Sequence, residues 1–345
     1  MDLQFVKNLG VGWNLGNTLD SSPERKTMEF PTPTEQETAW GNPVTTEAMI
    51  KAVKDAGFTI FRVPVTWCYQ FDENYCINKA WLNRVGEVVD YGIKNDMTVI
   101  LNLHHEKWHF PSEENYPTAS KIMKTVWTQI ASHFSDYGNN LILESMNEPR
   151  KVDTEFEWNG GDKEGRSVVM KLNQDFVDTV RALGGNNATR FLLVPNYAAS
   201  CEEIAMSDFV MPNGENIIAS LHGYIPWDFA LSDQHDINNW TEERKEAIDD
   251  LFRRIDKYFI SKGIPVIMGE CGARKKGDNA TARAEWARYY AAKARENGIP
   301  CIWWDNGYID GSEKTEVFGL LNRQTLEWGF PEIAQAFVNA GKGLS

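Results

Sequence analysis

The chain has 345 residues with 35 Lys and Arg against 49 Asp and Glu, a formal net charge of −14, and its 42% hydrophobic and 24% charged content describes a globular protein rather than a disordered one. The acidic balance and the lack of any Lys/Arg run argue against nucleic acid or an anionic membrane as partner, since phosphate binding needs basic clusters. No apolar stretch is long enough to insert in a bilayer, and five cysteines without a CxxC pair argue against a disulfide framework or a zinc knuckle.

Short apolar runs of strand length alternate along the chain with stretches of helical period. A first strand is expected at 11–16. A helix at 45–56 leads into a second strand at 59–66, a helix at 79–95 into a third at 98–105, and a helix at 118–134 into a fourth at 141–148. A helix at 165–183 precedes the fifth strand at 190–197, and a short helix at 201–206 precedes the sixth at 216–224. Helices at 241–262 and 281–297 introduce the seventh strand at 265–271 and the eighth at 301–306, and a last helix follows at 331–340. Gly57 and Gly298 stand where helices should end in a left-handed residue.

Eight strand–helix units predict an α/β fold, one (β/α)8 TIM barrel forming a single domain over residues 1–345. A doubly wound sheet is the alternative. The glycines of the first turn, Gly10, Gly12 and Gly16, lie within and at the end of the strand and do not have the GxGxxG spacing of a dinucleotide loop.

A barrel of this kind assembles its site at the carboxyl ends of its strands. Those ends carry Arg62, His104-His105-Glu106, Asn147-Glu148-Pro149, Asn196-Tyr197, His222-Gly223-Tyr224, Glu270 and Trp303-Trp304-Asp305-Asn306. Each alone has a structural explanation, but their coincidence at most strand ends points to chemistry. Glu148 and Glu270, on strands four and seven, face each other roughly across the barrel, the arrangement glycoside hydrolysis needs from an acid and a nucleophile. Glu144 shares parity with Glu148 and should lie roughly 13 Å deeper as a buried carboxylate paired with an inward cation. His104 and His105, as neighbours in a strand, should point to opposite faces, which argues for substrate contact and against a shared metal ion. No metal and no cofactor are expected, and no Ser/His/Asp nucleophile arrangement is present.

Eight of the 13 Trp (Trp13, Trp40, Trp67, Trp108, Trp158, Trp227, Trp303, Trp304) fall at strand ends or in the loops after them. Indole rings can hold the apolar faces of pyranoses. Trp40, Trp67, Trp108 and Trp227 are the subsite candidates, Trp13 and Trp304 are expected to pack in the barrel, and 151–165 is expected to be a long loop near the groove wall.

The segments containing Gly12-Trp13-Asn14-Leu15-Gly16-Asn17, Trp40-Gly41-Asn42-Pro43, Phe61-Arg62-Val63-Pro64, Asn102-Leu103-His104-His105-Glu106, Asn147-Glu148-Pro149-Arg150, His222-Gly223-Tyr224, Gly269-Glu270-Cys271-Gly272 and Trp303-Trp304-Asp305-Asn306-Gly307 resemble, in order, the motifs of glycoside hydrolase family 5, closest to its bacterial endoglucanase branch. The resemblance implies a retaining endo-β-1,4-glucanase with Glu148 as acid/base and Glu270 as nucleophile. It further implies that Asn147 binds the sugar 2-OH in the −1 subsite, that Arg62 and Tyr224 hold Glu270, and that His222 sits beside Glu148. His104 and His105 should contact the −1 sugar, Trp303 should form that subsite's floor, and Asn17, Trp40 and Trp227 should be further substrate contacts. Gly223 departs from relatives that carry Ala or a bulkier residue there. Xyloglucan-, lichenan- or mannan-active enzymes on the same scaffold, a non-catalytic glycan-binding barrel and a metal-dependent barrel hydrolase are the competing readings. A polymeric β-glucan substrate implies export or the cell surface, and the first residues lack a signal peptide, so a signal is expected to have been removed or to lie outside the chain. The protein is expected to act as a monomer, with room for modules attached outside these residues.

Overall fold

In the computed structural model, which describes residues 3–23, 30–234, 236–311 and 315–344, eight parallel strands close into a barrel in sequence order. They are β1 (Val11–Leu15), β2 (Ile60–Val63), β3 (Thr98–Asn102), β4 (Leu141–Glu144), β5 (Leu192–Pro195), β6 (Ile217–His222), β7 (Val266–Cys271) and β8 (Cys301–Asp305). Closure comes from β1 pairing with both β2 and β8, Trp13 lying opposite Phe61 on one side and Trp303 on the other. Eight helices follow the strands: α1 (Glu47–Asp55), α2 (Lys79–Lys94), α3 (Tyr116–His133), α4 (Lys163–Ala182), α5 (Glu203–Ser207), α6 (Glu242–Tyr258), α7 (Ala280–Glu296) and α8 (Pro331–Lys342). Three short helices were not expected, Leu3–Lys7, Pro33–Glu37 and Trp227–Ala230.

All strands and all long helices stand where the hydrophobic period puts them, and the differences are at the ends. Several expected strands run two to four residues too far, because the chain leaves the ladder at the carboxyl face to form the site. α6 ends at Tyr258 and a separate turn, Ile260–Lys262, closes on the left-handed Gly263. Gly57 and Gly298 take positive φ, 105° and 68°, and their N–H groups close the last turns of α1 and α7 on the carbonyls of Lys54 and Arg295.

Strand alternation divides the interior into layers. One set of inward residues, Ile60, Ile100, Ile142, Leu193, Ile218, Ile267 and Ile302, forms an apolar disc with Val6 and Leu9 from the N-terminal segment and Phe191. The residue two positions further along several of these strands is polar and fully buried: Arg62, Asn102, Glu144, Ser220. Outward residues, among them Trp13, Phe61, Leu101, Leu143, Met268 and Trp303, pack against the helices as a second, larger core. The barrel is therefore dry below, polar in the middle and open at the top.

The register slips once, and at an informative place. Leu221 pairs with Met268 but His222 pairs with Glu270, so Gly269 is an extra residue in β7, and the pairing with β8 shifts in the same interval. Simple alternation from Ile267 would send residues 269 and 271 inward; the bulge makes Glu270 the inward residue and leaves Cys271 in the outer core. A Cβ on residue 269 would come within 3.1 Å of His222 Nε2 and Ser220 Oγ, so only glycine fits without displacing them.

Arg190, just before β5, holds the amino-terminal side together. Its buried guanidinium donates to the carbonyls of Phe134, Tyr137, Gly138 and Leu141 and to Asn187 Oδ1, at 2.8–3.1 Å. Arg190→Met should cost ~3 kcal/mol, because it strands buried acceptors away from water. Urea midpoints for the two proteins check this, with kcat expected to be unchanged at 25 °C; equal midpoints would contradict it.

Candidate active site

The polar layer is centred on Arg62. Its Nε donates to Glu144 Oε2 at 2.8 Å, Nη1 to Asn14 Oδ1 at 2.9 Å and to Glu270 Oε1 at 2.8 Å, and Nη2 to Asn147 Oδ1 at 2.8 Å. Glu144 takes a further bond from Ser220 Oγ, at 2.7 Å. It is the buried paired carboxylate expected from its parity, yet it lies nearer the site than a straight strand allows. β4 ends at Glu144 and the chain bends, so one guanidinium reaches both Glu144 and Asn147.

Above this layer Glu270 receives Tyr224 Oη on Oε2 at 2.8 Å, and His222 Nδ1 lies 3.6 Å from the same oxygen. His222 Nδ1 is 2.7 Å from Glu148 Oε1, and Arg150 Nη1 is 3.6 Å from Glu148 Oε2. One oxygen of Glu148, one of Glu270 and a ring nitrogen of His222 all lie within 4.8 Å of one another.

Burial raises the Glu270 carboxyl above its ordinary range, and the charge of Glu148 adds to the effect, outweighing His222, Arg62 and the Tyr224 hydroxyl. Burial alone would also raise Glu148, but its hydrogen bond from His222 and the charges of His222, Arg150 and His105 hold it below the ordinary value. His222 is correspondingly raised: burial opposes its charge and the two glutamates overcome that. This is the reverse of the simple expectation of an ionised nucleophile beside a protonated acid. The trio is one coupled unit, and a proton on His222 with Glu148 ionised is the same proton count as a neutral His222 with Glu148 protonated. Tyr224 stays a donor, since burial and both glutamates push its hydroxyl well above the usual range.

These groups open into a cavity of about 420 Å³ at the carboxyl face of the strands. His104, His105, Asn147, Glu148, His222, Tyr224, Trp227 and Glu270 all line it, so eight of the residues expected at a site meet in one place. Trp227 is 57% exposed at the wall. Trp40 packs its ring 5.6 Å from that of His105, just outside the cavity lining. Asn17 turns the chain after β1 at φ 57°, its N–H donating to Asp20 and its carbonyl accepting from Asn42, and it does not line the cavity.

Trp303 is not the floor of this cavity. Ile302 faces the interior, so Trp303 points outward: it is fully buried against Trp286 and Phe337, with its Nε1 donating to the Phe318 carbonyl. Trp304 is the inward ring. It lines the cavity and stacks on His104 at 5.6 Å, 4° from parallel, rather than packing in the barrel. Trp67 is also a core residue, with no exposure and a bond to the Asn102 carbonyl, and Trp108 is tied to Glu106. Trp13 packs in the barrel wall as expected, bonded to Asp305. Gly223 has a local cause: a Cβ there would come within 2.5 Å of the Tyr290 hydroxyl.

The two histidines do not diverge. β3 ends at Asn102, and the rings of His104 and His105 meet edge to face at 4.4 Å. Together with Asp20 they bring three metal-ligand atoms within 4.8 Å, and the Glu148–His222–Glu270 trio does likewise. Asp20 is buried, which raises its carboxyl to about 7 against the hydrogen bonds from Thr18 and Asn17. Sequence reading missed Arg150, which lies 4.1 Å over the exposed ring of Trp158, and Arg254, which reaches the cavity from α6. Arg150 follows Glu148 in its motif and was legible there; nothing in the sequence ties Arg254 to the site.

The family model for cellulase (glycosyl hydrolase family 5) matches residues 23–310. The chain is 44% identical to endoglucanase A of Clostridium longisporum, across 99% of its own length and 66% of that protein's, and 44% identical to endoglucanase B of Neocallimastix patriciarum, across 99% and 71%. Among solved structures it is similar to a broad-specificity endoglucanase from Clostridium longisporum (TM-score 0.95, 43% identity, 99% of both chains). It is likewise similar to a broad-specificity endoglucanase from Ruminococcus champanellensis with bound cellotriose (0.93, 44%, 98% of both) and to a Caldicellulosiruptor lichenase (0.92, 42%, 98% of this chain and 95% of that one).

The two adjacent tryptophans should separate by experiment. Trp304→Ala is expected to weaken binding of a β-glucan oligosaccharide by about tenfold, the worth of an aromatic platform. Trp303→Phe should leave binding within about twofold and lower stability by ~1–3 kcal/mol instead. Titration calorimetry and thermal unfolding of both variants check the assignment, and the opposite pattern would reverse it.

Proposed function

The chain belongs to glycosyl hydrolase family 5 and is a glycoside hydrolase, and from that premise we propose that it is a retaining endo-β-1,4-glucanase in which Glu148 is the acid/base and Glu270 the nucleophile. The observation that carries the retaining mechanism is the approach of the two carboxylates, one oxygen of each within 4.8 Å of the other. Retaining enzymes hold their carboxyl groups about 5–5.5 Å apart, whereas inverting ones leave about 6.5–9.5 Å for a water.

In the first step Glu270 Oε2 or Oε1 attacks the anomeric carbon as the glycosidic bond breaks, and the proton held between His222 and Glu148 passes to the leaving oxygen. Arg62 and Tyr224 keep the Glu270 carboxylate aimed and favour its charged form against the opposing effect of burial. Asn147, oriented by Arg62, is within the cavity to bind a sugar hydroxyl. Once Glu270 becomes an ester its charge is lost, and Arg62 still has Glu144 as counter-ion. Glu148, now deprotonated, draws a proton from water, whose oxygen attacks the same carbon from the vacated side and releases Glu270.

Internal cleavage is supported by an open cavity flanked by exposed Trp227 and Trp158 on one side and by Trp40 and His105 toward the other. A second reading, preference for mixed-linkage glucan, is favoured by the 42% identity to a lichenase. Initial rates on carboxymethyl cellulose, barley glucan, xyloglucan and glucomannan separate these. Because a polymer of this kind does not enter a cell, we place the enzyme's action outside it. We take the working unit to be a monomer.

Glu270→Gln should lower kcat by more than about 10³-fold, the scale of losing a covalent nucleophile, while circular dichroism and oligosaccharide binding stay near wild type; near-normal turnover would sink the assignment, and a wild-type protein that binds β-glucan without hydrolysing it would favour a binding protein. The pH profile gives a second check. The proton needed for the first step is lost as pH rises through the raised value of His222, which shares it with Glu148. His222→Asn leaves that proton on Glu148 alone, freed of the bond and charge that lowered it, so the alkaline limb of kcat/KM should leave the position His222 set for it; an unmoved limb would contradict the shared-proton account.

A further inference from the structure

His104 stands in the cavity wall against Trp304, and its Nδ1 is 3.1 Å from Nδ2 of Asn102, a fully buried side chain of the polar layer. The orientation of the Asn102 amide is fixed from its other side, where Val65 N–H donates to Oδ1 at 3.1 Å. Turned over, the amide would set its NH2 against that N–H, two donors with no acceptor between them. The NH2 group therefore donates to His104 Nδ1, which must carry a lone pair. A neutral imidazole has one N–H, so it is on Nε2. The same contact opposes a charged ring, because a proton on Nδ1 would face the amide NH2. Burial, with the charges of His105, Arg62, His222 and Arg150, pushes His104 in the same direction, well below the ordinary histidine range.

We propose that Asn102 is a positioning residue that locks His104 as the neutral Nε2–H tautomer, so that the ring offers the cavity a hydrogen-bond donor for a sugar hydroxyl rather than a lone pair. The role in catalysis rests on the glucanase reading above; the tautomer does not. It also bears on the Asp20, His104 and His105 cluster, whose spacing suits a cation. With Nδ1 already accepting and Nε2 carrying the proton, His104 has no free lone pair to give one.

Asn102→Asp is the discriminating change. The introduced carboxylate still accepts from Val65 N–H but reverses the polarity toward Nδ1. The ring should switch to the Nδ1–H form, and kcat/KM at neutral pH should fall about 10- to 100-fold, as for a lost hydrogen bond to substrate. Charged and titratable groups facing His104 are Asp20 from the loop after β1, Arg62 from β2, the adjacent His105, Arg150 after β4 and His222 from β6, and none of them changes. As pH falls and the ring in the variant takes up a second proton, Nε2–H returns and the gap to wild type should narrow. A gap independent of pH would mean that Asn102 matters for packing alone and would overturn the proposal. Long-range 1H–15N spectra of the histidine-labelled wild-type protein, with His104 assigned by its loss in His104→Gln, give the tautomer directly and need neither a folded Asn102 variant nor activity. A protonated Nε2 with a bare Nδ1 at pH 7 is expected; an Nδ1–H or doubly protonated ring would overturn it. Failure of the glucanase reading would appear separately, as a wild-type protein that hydrolyses no β-glucan.

Discussion

Everything at the top of this barrel hangs on one buried cation. Arg62 has no exposure, and a guanidinium in that position is tolerated only if its donors are paired. They are: two carboxylates and two amide oxygens take its donors at 2.8–2.9 Å. Because a guanidinium is planar and rigid, those four acceptors are also fixed relative to one another. Glu144 anchors it from below, and Asn147 and Glu270 are aimed from above. The division of labour between the glutamates follows. Glu144 is paired with Arg62 independently of Glu270, so under the proposed mechanism Arg62 would keep a counter-ion when Glu270 loses its charge.

The second constraint is parity. A strand cannot put consecutive residues on the same face, so each inward position is decided two residues at a time from the apolar disc of Ile60, Ile100, Ile142, Ile218, Ile267 and Ile302. β2, β3, β4 and β6 obey this simply and deliver Arg62, Asn102, Glu144 and His222 inward. β7 does not, and the extra residue Gly269 corrects it, bringing Glu270 opposite His222. The bulge re-aims the Glu270 side chain while the strands before it keep their register.

These two constraints explain what the sequence could and could not reveal. Strands and long helices were legible because burial imposes its period on every turn, and Glu148 and Glu270 were legible because a barrel gathers its site at the strand ends. The pairing of Arg62 and Tyr224 with Glu270, and of His222 with Glu148, follows from the family motifs and is met by the hydrogen bonds. Trp303 and Trp304 were exchanged because both are aromatic and adjacent, and only the inward Ile302 tells which ring faces the cavity. The separation assumed for Glu144, and for His104 from His105, failed for one reason: the ladder stops at Glu144 and at Asn102, and the rules of extended chain stop with it. Asn102 stood in one of the motifs, but the orientation of its amide was not legible, since it depends on a contact with Val65 that no spacing encodes.

The central claim is that two carboxylates held this close act in succession on one face-to-face centre, one as nucleophile. The stereochemistry of the first-formed product tests it most directly. Proton NMR during early hydrolysis of a soluble β-glucan, read before mutarotation, should show the new reducing end as the β-anomer, the outcome of two inversions. Initial release of the α-anomer would mean a single displacement by water and would contradict the account.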